Sequence, residues 1–140
     1  MIRTLIKMPI NTIIMKQEEK IYTQHAEHTE WLNKMKFYAD YIVILKNRLE
    51  EIASKNSHQE VLAKVEHFQN QFIIQKNTID EISHEIKADE THLQHEVEKN
   101  PVAVDHRKLP YHVEEKNAIE AFEKNFNELR TEFKDFAAKW

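Results

Sequence analysis

Residues 119–140 read IEAFEKNFNELRTEFKDFAAKW. Large apolar side chains stand at Ile119, Phe122, Phe126, Leu129, Phe133, Phe136 and Trp140, alternately three and four residues apart, with mostly Glu, Lys and Asn between them. That spacing puts all of them on one stripe of an α-helix, and so wide and aromatic a stripe has to be buried against other elements. The partners decide the fold.

They lie upstream. Ile21, His28, Met35, Ile42 and Leu49 recur every seven residues, and Gln24, Trp31, Tyr38, Leu45 and Ile52 fill the alternate seam, which predicts a helix over 16–54. In the following SKNSHQE segment, Asn56 stands in for glycine at a left-handed C-terminal position, and Ser57 with Glu60 three residues on has the form of a capping box. A second helix over 57–99 carries Val61, Leu62, Val65, Phe68, Phe72, Ile79, Ile82, Ile86, Leu93 and Val97, with Gln75 and Asp89 as polar interruptions of its seam. Residues 100–109, NPVAVDHRKL, read as a loop because Pro101 disfavours helix at Asn100. Pro110 suits the first turn of a third helix over 110–140, where Glu114 and Glu115 meet the positive end of the helix dipole. Residues 16–140 are therefore expected to form one all-α domain, an up-down-up antiparallel three-helix bundle with long, coiled-coil-like helices.

Residues 1–14, MIRTLIKMPINTII, lack this seam and are interrupted by Pro9. With Met15 they read as a flexible N-terminal extension, and the charged pattern that starts after Met15 also admits that methionine as the true start. The stretch is too short to span a bilayer and has no small-residue cleavage site, so the expected location is cytoplasmic, with no membrane partner.

Composition removes whole classes of chemistry. The 140 residues include no glycine and no cysteine. Phosphate-cradling loops generally need glycine at positive φ, and disulfides, thiolate zinc sites, Fe–S clusters and cysteine nucleophiles need cysteine. A net charge of -4, with both signs interleaved, argues against a nucleic-acid footprint. No nucleophile–base motif stands out, so no catalytic activity is expected.

Two surfaces remain as candidates. The third helix is the shortest, which places Trp140 near the level of Phe68 to Phe72. Leu45, Leu49, Ile52, Val61, Leu62 and Val65 would then be covered only by each other, an open end suited to a homodimer or a helical protein partner. At the opposite end, folding the hairpin about Asn56 sets residue i near residue 112 minus i. That gathers His25, His28, His84, His92, His95, His106 and His112, seven of the nine histidines, with Glu27, Glu81, Glu85, Asp89 and Glu96. His25 with His28, His92 with His95 and Glu81 with His84 are i, i+3 pairs able to share an ion. A zinc or iron site using His25, His28, His84 and His92 is one reading. Another is a pH-sensitive bundle in which protonation sets like charges together. The principal expectation is a structural or protein-interaction bundle, because His28 on a seam can be an ordinary core residue while His84 and His95 point outward.

Overall fold

The computed structural model describes residues 10–99 and 104–140, with side chains from 22 to 99 and from 112 to 140. Three helices follow in order: α1, Ile10–Lys55; α2, Gln59–Lys99; α3, Val104–Lys139. All three pairs of helices pack together, α1 with α2 most extensively, which makes a three-helix bundle. No helix among the described residues is long and apolar enough to cross a membrane.

The seams pack as their spacing requires. Met35, Ile42, Leu49 and Ile52 of α1, Val61, Phe72, Ile79 and Ile86 of α2, and Ile119 to Phe136 of α3 join one continuous buried core. Its middle is aromatic: Tyr38 meets Phe122 and Phe126 at centroid distances of 5.1 and 4.8 Å, and Phe133 meets Phe68 and Phe72 at 5.3 and 5.4 Å. Such offset and edge-on pairs add to the burial of apolar area. Gln75 is buried in its seam with Oε1 unpartnered.

Element ends differ from the expected ones. Residues 1–9 of the expected extension lie outside the described residues, whereas 10–15 already belong to α1, since nothing after Pro9 breaks a helix. Of the expected loop over 100–109, residues 104–109 belong to α3, which starts at Val104, and 100–103 lie outside the described residues. Pro110 is internal to α3, where it removes one backbone N–H without ending the helix. Asn56 is not left-handed, for no residue among those described has positive φ. Its side-chain Nδ2 instead donates to the Ile52 carbonyl at 2.9 Å, capping the last turn of α1. His58 rather than Ser57 takes the N-cap of α2, its carbonyl accepting from the Leu62 N–H at 3.0 Å.

The expected open end is closed. Phe136 already lies 5.2 Å from Phe68, so Trp140 one turn on passes that level and α3 reaches further toward the hairpin than its length suggested. Leu45, Leu49, Ile52, Val61 and Val65 are all buried in the common core, and only Leu62, at 39% exposure, faces solvent.

Candidate metal centre

The seam of α3 does not begin at Ile119. Carried back by four and then three residues it meets Glu115 and His112. Both therefore turn into the bundle at the end remote from the hairpin, where α1 contributes Gln24, Glu27 and His28 and α2 contributes Asp89 and Glu90. Glu115, at 6% exposure, and His28, at 2%, are among the most buried polar side chains described.

Two glutamates hold the outer edges of two imidazoles. His28 Nδ1 lies 2.6 Å from Oε2 of Glu90, whose other oxygen bonds Nδ1 of the exposed His25. His112 Nε2 lies 2.7 Å from Oε2 of Glu27. Each buried ring thus donates one N–H to a carboxylate, which leaves the lone pair of its other nitrogen facing inward in the neutral tautomer. The inward atoms lack partners: His112 Nδ1 and both oxygens of Glu115 are buried without a hydrogen bond. His28 Nε2 approaches Glu115 Oε2 to 3.3 Å, within ion-pairing distance but out of line for a hydrogen bond. One donor atom from each of His28, His112 and Glu115 lies within 4.8 Å of the others. Trp31 stacks 4.7 Å from His112 and 5.9 Å from His28, walling the group with an apolar face.

An imidazole lone pair and a carboxylate oxygen 3.3 Å apart in a buried site repel each other unless a proton or a metal ion lies between them. The titration of the cluster reflects this. Burial pushes His28 down, yet the facing carboxylates of Glu115 and Glu90 outweigh it and raise the imidazole above its ordinary value. Burial pushes Glu115 up, His28 draws it down, Asp89 pushes it up again, and it settles at about 7. Glu90 is also pushed up by burial, but the bonds from His28, His25 and Gln94 win and hold it below the usual carboxylate range.

Of the four histidines singled out by sequence, His28 lies in the centre and His25 joins it only through Glu90. His84 is exposed. His92 is exposed too, 3.8 Å from Glu96 on its own helix. The turn spans residues 56–58, so the hairpin axis lies past Asn56 and the pairing moves by two residues. His25 and His28, a turn apart on α1, both reach Glu90, three and six residues beyond the levels expected for them. For the pH-sensitive reading, the His28 and His112 rings lie 5.6 Å apart, and His25, His28 and His112 each have a carboxylate in reach. Sequence reasoning misses Glu90 and Glu115, the latter because an acid near an expected helix start reads as a dipole partner. Its seam spacing from Ile119 was the available signal. No family model, curated protein or solved structure matches the chain.

Proposed function

We propose that the chain is a metal-binding helical bundle, holding one divalent transition-metal ion such as zinc or iron between His28, His112 and Glu115. The observation that carries this reading is the set of buried donor atoms left unpartnered on the inner side, while Glu90 and Glu27 hold the outer nitrogens of both imidazoles. Carboxylate–histidine–metal arrangements have this form, the outer carboxylate fixing the ring and its tautomer. Two imidazoles and one carboxylate supply a three-ligand set with a fourth position open, suited to zinc or ferrous iron. Metal–ligand bonds of about 2.1 Å put tetrahedral ligands about 3.4 Å apart, so binding draws the side chains of the triad inward. An ion held there would supply the positive charge that His28 Nε2 and Glu115 Oε2 would otherwise need from a proton.

The test is metal analysis and calorimetry on protein purified without an affinity tag. One equivalent of zinc or iron is expected, with thermal stabilisation of about 2.7 kcal/mol at a hundredfold excess over the dissociation constant. His28→Ala, His112→Ala and Glu115→Gln should each abolish the response, and Glu90→Ala or Glu27→Ala should weaken binding about 10- to 100-fold. His84→Ala should change nothing. Absence of stoichiometric binding, or stabilisation that survives His28→Ala, overturns the proposal and leaves a structural bundle.

A further inference from the structure

The groove between α1 and α2 is open, and α3 contributes nothing to its lining. Two adjoining depressions of about 280 and 360 Å³ share Ala39 and Lys76 and run from Leu32 to Lys46 along α1. Their surface combines two chemistries. Val43 and Ile73 stand on opposite banks at 55% and 54% exposure, with Ala39 between them on the floor. Lys36, Lys46, Lys76 and Lys87 line the same banks, and Asp80, paired with Lys76 at 2.6 Å, is the one acid among the described lining residues.

We propose that this groove receives an acidic amphipathic helix from another protein. Leu32 to Lys46 spans about 21 Å of helix axis, the length of a four-turn helix. An apolar stripe three or four residues apart would cover Val43, Ala39 and Ile73, as amphipathic helices do in grooves of this kind. Glutamates or aspartates flanking the stripe would meet the lysines, whose aliphatic stems extend the apolar floor. A second copy bound about a twofold axis would set these lysines against themselves. The occupant would lie against α1 and α2 as a fourth helix of the bundle.

The experiment uses the full chain and a fluorescent 16-residue peptide patterned with leucine on one face and glutamate on its flanks, alongside the same peptide with lysine for glutamate. Anisotropy should show saturable binding of the acidic peptide, at least tenfold tighter than the lysine version and weakening as salt rises. Val43→Asp and Ile73→Asp alter only exposed positions, and each should reduce affinity at least tenfold, as should Lys46→Glu with Lys36→Glu. Equal binding of the two peptides, or binding indifferent to these variants, overturns the proposal. So does concentration-dependent self-association that Val43→Asp abolishes, which assigns the groove to a second copy. Tighter binding of a single-stranded oligonucleotide than of the acidic peptide, lost in the lysine variants, also overturns it.

Discussion

Glu123 and Glu115 sit eight residues apart on α3, and they live in opposite circumstances. Glu123 accepts from the Tyr38 hydroxyl at 2.7 Å and from Lys34 Nζ at 3.0 Å. Burial nudges it up, but those two donors dominate and hold its carboxyl below the ordinary range. Tyr38 shows the counterpart, pushed up to about 12 by burial and then by the hydrogen bond and charge of Glu123. Glu115, more deeply buried, has neither oxygen in a well-aligned hydrogen bond, and burial with the neighbouring Asp89 pushes it up to about 7 against the pull of His28. The middle of the bundle thus pairs its buried carboxylate, although Gln75 Oε1 there stays unpartnered, whereas the far end gathers several unpartnered polar atoms around one carboxylate. Unsatisfied buried groups cost about 1–3 kcal/mol each, and natural cores avoid them unless something else compensates.

The largest expected effect lies in the satisfied region. Phe126 is fully buried against Tyr38 and Phe122, so Phe126→Ala should cost about 3–5 kcal/mol and lower Tm by more than about 10 °C. A loss below about 1 kcal/mol in chemical unfolding would mean that the aromatic middle is not the main source of stability. Glu115→Leu should act in the other direction. It extends the apolar seam and relieves a buried carboxyl, so the metal-free protein should gain about 1 kcal/mol while every response to zinc disappears. A loss comparable to that of Phe126→Ala would show that the polar end is held together as tightly as the middle.

A smaller effect separates the two glutamates by pH. Glu123 has a lowered folded-state pKa, so its contribution is present above the unfolded carboxyl pKa and is lost as pH falls through the folded one. Glu123→Gln keeps an acceptor for Tyr38 but removes the charge. With Lys34 partly exposed, it should cost about 0.5–1 kcal/mol at pH 7, and the two proteins should converge below about pH 3. A gap that persists at pH 3 would assign the effect to packing instead. The smallest expected change is at the hairpin: Asn56→Gly should destabilise by about 0.5–1 kcal/mol, because the native conformation has no positive φ for glycine to serve and the Ile52 cap is lost. Stabilisation by glycine would restore the left-handed reading of that residue.

The sequence made the bundle legible through period alone. Heptads from Ile21 to Ile52 and from Val61 to Val97, and the phenylalanine stripe of α3, each name one buried face, and a buried face needs no knowledge of its partner. Register is another matter. A shift of a few residues leaves every stripe facing inward, so nothing in the spacing distinguished His84 from Glu90 as the group opposite His28. Helix ends were obscured for a local reason: Pro110 is as compatible with a first turn as it is tolerable inside α3. The centre itself was half visible. His28 and His112 were placed at the correct end by topology, but Glu115 required reading an acid as a seam residue, against the strong prior that acids face water.

The hairpin turn and the candidate metal centre stand at opposite ends of the bundle, and this separation has a kinetic meaning. The turn joins neighbours in sequence, whereas His28 meets Glu90 across 62 residues and Glu27 meets His112 across 85. Contacts near the turn close short loops and are expected to form early, while the far end, like the aromatic middle, joins residues far apart in sequence and forms after them. The far end's unpartnered buried polar atoms, rather than its contact distances, are the reason to expect it to open locally before the phenylalanine-rich middle. Amide hydrogens around His28 and His112 should therefore exchange faster than those around Phe72 and Phe126 in metal-free protein. An ion bound there would enter and leave through this breathing, and would act as a clasp on the end of the bundle remote from the turn.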